Sequence, residues 1–175
     1  DYSTTAGSNS NKTIRLTGKR GMITDAESVI LAMTEDIYNV TFYRDESQKD
    51  YEAFTRSIIQ AIEIIERNGG ELCVSFVIGK DPNGLWEYQF GEGISESAWN
   101  TRSTQWRSNH YLTSAKFDDP TLAFEELYKR YKFEKQTPLP TEETVLKVMA
   151  VYNEMQMNLF NSVPVVVARD VSYAT

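Results

Sequence analysis

The strongest constraint on the fold is a helical repeat of apolar residues between positions 48 and 67. Apolar side chains recur there every three or four residues, a spacing that places them on one face of an α-helix. Asn68, Gly69 and Gly70 follow the repeat, and glycine can adopt the left-handed conformation that ends a helix. The sequence therefore predicts an amphipathic helix. The apolar residues of its buried face are Tyr51, Phe54, Ile58, Ile62 and Ile65.

Three further helices are predicted by a capping signal followed by an apolar stripe. Residues 24–27 read Thr-Asp-Ala-Glu, which fits a capping box, and apolar residues follow as far as Ile37. Asp119 before Pro120 predicts the start of a third helix, and Thr141 predicts the start of a fourth. The sequence therefore predicts about four helices in all.

Strands are predicted wherever apolar and polar residues alternate or β-branched residues cluster. Residues 81–84 read Asp-Pro-Asn-Gly, which is typical of a turn, so the segments on either side of it are expected to form a β-hairpin. Residues 91–102 are predicted to be an irregular loop. The predicted strands are 13–17, 40–43, 72–78, 86–90, 104–117 and 163–167.

This order of elements predicts a single α+β domain over residues 12–175. A mixed, mainly antiparallel sheet of about five or six strands, covered by about four helices, fits the order best. Residues 1–11 are rich in Ser, Thr, Asn and Gly, which favours a flexible polar tail. At 175 residues the chain has the length of one ordinary domain.

Composition excludes several classes of protein. Hydrophobic residues make up 41% and charged residues 25% of the chain, which is typical of a globular, water-soluble protein. No apolar run approaches the roughly 18 residues that a membrane-spanning helix needs. The net charge of −7 lies in the first 100 residues, which hold 9 Lys and Arg against 16 Asp and Glu. Such an acidic chain is expected to be repelled by duplex nucleic acid.

The single cysteine, Cys73, cannot form a disulfide within the chain, which favours a reducing, intracellular compartment. Because the chain begins with Asp1 rather than Met, we expect that an upstream segment has been trimmed, processed away or left out. Any targeting signal that such a segment carried is therefore not visible in this sequence.

Few residues are available for catalysis. His110 is the only histidine, so Cys73 and His110 form the single candidate pair of nucleophile and base. The alternation around Cys73 favours an inward-facing, inert thiol instead. The carboxylates of Asp45, Glu46, Asp50 and Glu52 could support hydrolysis, but acidic residues at a helix start are typical of capping. No pattern indicates a nucleotide, a metal or another cofactor.

The most distinctive stretch is an aromatic–basic segment over residues 97–117, which contains no acidic residue. Aromatic rings with Arg and Lys dominate the hot spots of protein interfaces, and they also stack on and neutralise single-stranded nucleic acid. A third interpretation is that these residues only pack against neighbouring strands. The candidate binding residues are Trp99, Arg102, Trp106, Arg107, His110, Tyr111 and Lys116.

These observations favour a non-enzymatic interaction protein, such as an inhibitor, an adaptor or an assembly subunit. We expect it to bind a protein partner through the aromatic–basic segment. The first alternative is a single-stranded RNA- or DNA-binding protein that uses the same segment. The second is a carboxylate-dependent hydrolase.

Overall fold

The computed structural model describes residues 21–32, 38–43, 50–158 and 164–171. The chain divides into two compact units, residues 1–36 and residues 37–175. The predicted tail over residues 1–11 and the predicted strand over 13–17 lie outside the described residues. The prediction of one domain over residues 12–175 stays a prediction.

The first unit contains a short antiparallel hairpin of β1, Ile23–Thr24, and β2, Ile30–Ala32. The Asp25 carboxylate accepts hydrogen bonds from the backbone amides of Glu27, at 2.9 Å, and Val29, at 2.8 Å. The helix predicted from the capping box is therefore wrong. A short acidic side chain satisfies nearby amides in a turn as readily as at a helix start, and here it closes the turn of the hairpin.

The second unit contains four helices among its described residues: α1, Tyr51–Arg67; α2, Glu96–Asn109; α3, Pro120–Arg130; and α4, Glu142–Met157. Helix α1 confirms the amphipathic helix, and Gly69 follows it with a φ of 74°. The predicted caps of α3 and α4 are also confirmed, because the side chains of Asp119 and Thr141 accept backbone hydrogen bonds from Thr121 and Thr144.

The strands of the second unit form two separate antiparallel pairs. Strand β3, Tyr38–Phe42, pairs with β6, Val165–Val171, and β4, Ile78–Lys80, pairs with β5, Trp86–Tyr88. Leu72 forms an isolated bridge to Ala168. With β1 and β2, the described residues thus hold three two-stranded sheets. The mixed α+β class and the β4–β5 hairpin are confirmed, whereas the single sheet of five or six strands is wrong.

The hairpin of β4 and β5 packs on a helix instead of joining other strands. The ring of Trp86 stacks on Phe124 of α3 at 4.2 Å between centroids, and the hydroxyl of Tyr88 donates to the backbone carbonyl of Phe117 at 2.6 Å. Of the predicted strand over 72–78, only Leu72, in its bridge, and Ile78, at the start of β4, take part in strand pairing.

The core lies between the helices and β6. Helices α1 and α4 meet where the hydroxyl of Thr55 donates to the backbone carbonyl of Tyr131, at 2.6 Å, and lies 2.8 Å from the hydroxyl of Tyr152. The rings of Tyr131 and Tyr152 stack at 3.8 Å between centroids. The most deeply buried apolar residues include Ile58, Ile62, Leu112, Leu127, Phe133, Val148, Met149, Val151 and Val167.

Among the helices described, none combines the length and the apolar character that crossing a membrane requires.

Candidate binding surface

The aromatic–basic segment folds mainly as helix α2. The predicted loop over 91–102 therefore holds only as far as Ser95, and the predicted strand over 104–117 is wrong. The side chain of Ser95 caps the helix by accepting from the backbone amide of Ala98 at 3.2 Å. Residues separated by four, three and four positions share one face of an α-helix. On α2 this face packs on the core, and its members are Trp99, Ser103, Trp106 and His110.

Trp106 is a core residue, with only 2% of its surface exposed. Its indole Nε1 donates to Oδ1 of Asn153 at 2.7 Å, and its ring contacts Phe76 and Tyr88 at 6.1 and 5.6 Å between centroids. The prediction that Trp106 offers its ring to a partner is therefore wrong. A partner could not contact Trp106 unless α2 moved away from α4.

His110 is buried beside Trp106, with 1% of its surface exposed. Its Nε2 lies 3.2 Å from Oδ1 of Asn153, and the guanidinium of Arg130 donates to its backbone carbonyl at 2.6 Å. Burial lowers the pKa of the imidazole from 6.5 to about 4, so the ring is neutral at pH 7. His110 is thus a structural residue of the core and not part of an outward surface.

Cys73 is exposed, so the predicted inward-facing thiol is wrong. Its Sγ lies 3.5 Å from the backbone carbonyl of Val166, and its backbone amide donates to Val167 at 2.8 Å. The candidate pair of Cys73 and His110 therefore has its thiol at the surface and its imidazole in the core. The imidazole hydrogen-bonds to Asn153.

Trp99 and Arg102 hold α2 against the end of β5. Trp99 is half-buried, and its ring meets Phe90 edge-to-face at 5.5 Å between centroids. Arg102 is exposed, but its Nη1 donates to the backbone carbonyl of Phe90 at 2.7 Å. Gly91 allows this approach, because a Cβ there would lie 3.2 Å from the guanidinium, and its φ of 116° favours glycine.

Arg107 and Lys116 lie near the end of α2. The guanidinium of Arg107 forms an ion pair with Asp118, and only 18% of its side chain is exposed. Lys116 is exposed, and its Nζ lies 4.6 Å from the centroid of the Phe117 ring. Lys116 is therefore the more accessible of the two cations.

Tyr111 is the most exposed aromatic residue of the segment, with 68% of its surface open. It occupies the left-handed position that ends α2, with a φ of 56°. The backbone amide of Leu112 donates to Arg107 at 2.8 Å, and that of Tyr111 donates to Ser108 at 3.0 Å, which together form a Schellman motif. Leu112 is fully buried and anchors the motif. The backbone beneath the projecting ring is thus fixed on both sides.

We call the exposed residues between positions 108 and 116 the Tyr111 corner. Apart from Tyr111, its members are small or flexible, and Lys116 supplies its charge. The residues of the Tyr111 corner are Ser108, Tyr111, Thr113, Ser114, Ala115 and Lys116.

Among the described residues, the carboxylates proposed for hydrolysis do not form a cluster. Asp50 caps α1 by accepting from the backbone amide of Ala53 at 3.0 Å, and Glu52 pairs with Arg56 at 3.0 Å. Asp45 and Glu46 lie outside the described residues. Within the described ranges, no three His, Cys, Asp or Glu residues are grouped closely enough to hold a metal ion.

Asn153 is the important residue that sequence reasoning missed. It is 5% exposed on α4, and its amide oxygen is hydrogen-bonded to both Trp106 and His110. Its neighbours on α4, Tyr152 and Met155, already indicated a buried face. A polar side chain on such a face is a signal for an internal hydrogen bond.

Comparison with protein-family models, with curated proteins and with solved structures finds no match for this chain.

Proposed function

We propose that this chain is a non-enzymatic interaction protein that binds a protein partner through the Tyr111 corner. The observation that carries the proposal is the exposed ring of Tyr111 on a fixed backbone. Tyrosine is enriched at interface hot spots because it offers a large contact area with a hydroxyl at its tip and few rotatable bonds. An inhibitor, an adaptor or an assembly subunit would each use such a surface.

The backbone conformation supports the same proposal. A left-handed conformation costs a residue with a Cβ about 1 kcal/mol relative to glycine, and glycine is the usual residue at this position of a helix end. At position 111, stability alone would therefore favour glycine over tyrosine. Such a local cost is typical of positions that serve a function.

The neighbouring side chains suit a protein partner. Thr113, Ser114 and Ala115 are exposed, uncharged and small, so they cost little to desolvate and let a partner approach the ring closely. Lys116 adds a positive charge at the edge of the Tyr111 corner, where charges steer association more than they add affinity.

The single-stranded nucleic acid alternative has less support. That mode of binding needs several accessible rings for bases to stack on. Trp106 is buried, and Trp99 packs on Phe90, which leaves Tyr111 as the accessible ring of the segment. Titration of labelled single-stranded oligonucleotides at low and moderate salt tests the alternative directly. Binding that falls steeply with salt would favour it over the protein partner.

The decisive experiment compares Tyr111→Gly with Lys132→Gly. Lys132 is exposed and also has a left-handed backbone, with a φ of 59°, so both changes relieve the same strain. Only Tyr111→Gly removes the ring. In affinity capture from the native host with quantitative mass spectrometry, at least one partner should drop by about tenfold or more with Tyr111→Gly and remain with Lys132→Gly. Equal capture by wild type and both variants would refute the proposal.

A further inference from the structure

A hollow of about 310 Å³ lies between helix α1 and the loop that leads into α4. One wall is the face of α1 that carries Ile59 and Glu63, which are four positions apart and therefore neighbours on the helix. The other wall is formed mainly by residues 136–141. Both walls belong to the second unit and to the unbroken described stretch 50–158. The volume is at the lower end of the range for small-molecule sites.

The apolar lining of the hollow comes from both walls. Ile59 of α1 is half-buried, and the loop contributes Pro138, Leu139 and Pro140. Leu139 is a large apolar residue with 65% of its surface open, so a ligand that covers it would gain from removing apolar surface from water. The two prolines have a fixed φ, which lowers the cost of ordering this wall around a ligand.

Gln136 supplies a fixed hydrogen-bond acceptor in the hollow. It is 4% exposed, and its Nε2 donates to the backbone carbonyls of Glu52, at 3.1 Å, and Lys132, at 3.2 Å. Its Oε1 accepts no hydrogen bond from a described residue. Among the described residues, the side-chain polar atoms that are fully buried without a partner belong to Arg107 and His110. Oε1 of Gln136 is therefore accessible, through the hollow that this residue lines.

Glu63 supplies a negative charge to the same hollow. Its side chain is exposed and forms no ion pair with a described residue. The positive charge of Arg56, which also lines the hollow, is already offset by Glu52 at 3.0 Å. The N-terminal end of α4 is a positive helix end, but Glu142 and Glu143 in its first turn offset it. The unpaired carboxylate and the unpaired amide oxygen therefore both call for a hydrogen-bond donor with a positive charge.

We propose that this hollow binds an alkylammonium group. The ammonium donates to Oε1 of Gln136, the carboxylate of Glu63 supplies the opposite charge, and the carbon chain lies against Ile59 and Leu139. An ammonium suits the site because it carries three donors and no acceptor. Free amines and lysine side chains share this group. The site uses no residue of the Tyr111 corner, so it does not depend on the function proposed for that surface.

The test is a titration of the isotope-labelled full chain with n-butylammonium chloride, followed by the NMR shifts of its backbone amides. Saturable shifts should be confined to residues 56–63 and 136–144. The dissociation constant should be about millimolar, because so small a ligand makes few contacts. Sodium butyrate has the same chain length and the opposite charge, and it should not bind at these residues.

Glu63→Gln should weaken the binding of n-butylammonium by about threefold, which is the size expected for an exposed ion pair. Glu63 is exposed, so this change should leave the fold intact. Glu125→Gln is the matched control, because it removes the same charge from an exposed position on α3. It should leave the affinity unchanged.

Nα-acetyl-lysine methylamide distinguishes the two sources of the group. Tighter binding than n-butylammonium assigns the site to a lysine side chain of a polypeptide, and weaker binding assigns it to a free amine. Three results would overturn the proposal: no saturable shift at these residues, shifts of the same size with sodium butyrate, or equal affinities of wild type, Glu63→Gln and Glu125→Gln.

Discussion

His110 shows how burial fixes the charge state of a single residue. Its imidazole packs against Trp106 at 4.4 Å between centroids, with the ring planes tilted by 36°, and its Nδ1 is buried without a hydrogen-bond partner among the described residues. The cation of Arg130 binds the backbone carbonyl of the same residue. Protonation would therefore place a second charge in a buried site that already adjoins a guanidinium. The fold stabilises only the neutral ring.

This charge state makes stability depend on pH. The pKa of His110 falls from 6.5 in the unfolded chain to about 4 in the folded one, so the unfolded state binds the proton first. The free energy of unfolding should fall as the pH falls below 6.5, by about 2 kcal/mol on reaching pH 5. Urea denaturation at a series of pH values measures the effect. In His110→Leu the slope between pH 6.5 and 5 should flatten, since the chain has no other histidine. An unchanged slope would contradict this assignment.

Tyr111→Gly should stabilise the fold although it removes a side chain. The left-handed conformation costs tyrosine about 1 kcal/mol that glycine does not lose, and the exposed ring is not part of the buried core. Chemical denaturation should therefore show a gain of about that size. Tyr111→Ala is the control, because it removes the ring and keeps the strain, so it should show no gain. A Tyr111→Gly protein less stable than wild type would show that the ring contributes to the fold.

At the scale of elements, helix α2 joins the β4–β5 hairpin to α4. Its aromatic face contacts Tyr88 and Phe90, and its buried end reaches Asn153 of α4. Arg102, at the middle of the helix, and Arg107, in its last turn, hold it in place by pairing with the carbonyl of Phe90 and with Asp118. The two arginines of the segment thus position the helix more than they form an outer surface.

The sequence predicted α1, α3 and α4 because each combines a capping residue with an apolar stripe. The sequence does not predict helix α2, because its outer face consists mostly of small polar residues, so aromatic and polar residues alternate over short stretches. The spacing of Trp99, Ser103, Trp106 and His110 was the correct signal. A strand prediction over so few residues cannot separate a period of 2 from one of 3.6.

Asn153→Leu should weaken the attachment of α2 to α4. The change removes the acceptor of the Trp106 indole and the partner of His110, leaving two buried polar groups unsatisfied. We expect a loss of about 3 kcal/mol in the free energy of unfolding, measured with urea and tryptophan fluorescence. Asn100→Leu changes an exposed amide on α2 and should cost far less. Equal losses for the two variants would contradict the role of Asn153 as the link.

At the scale of the whole molecule, the sequence predicted the positions of strands better than their pairing. Segments near β3, β5 and β6 were recognised from β-branched and aromatic residues. Their pairing was not, because alternation fixes which face of a strand is buried but not which distant strand lies beside it. The antiparallel partners β3 and β6 are more than 100 residues apart in the chain. Cys73 was misplaced for the same reason, since its orientation depends on the bridge that Leu72 makes to Ala168.

Removing residues 1–36 tests the division into two units. Every buried core side chain among the described residues lies between Thr55 and Ala168, within the second unit. The shortened chain should therefore keep a cooperative thermal transition within about 4 °C of wild type, because a loss of 1 kcal/mol shifts the midpoint by only a few degrees in a domain of this size. Calorimetry measures the midpoint. A broad or absent transition would mean that the second unit needs the first in order to fold.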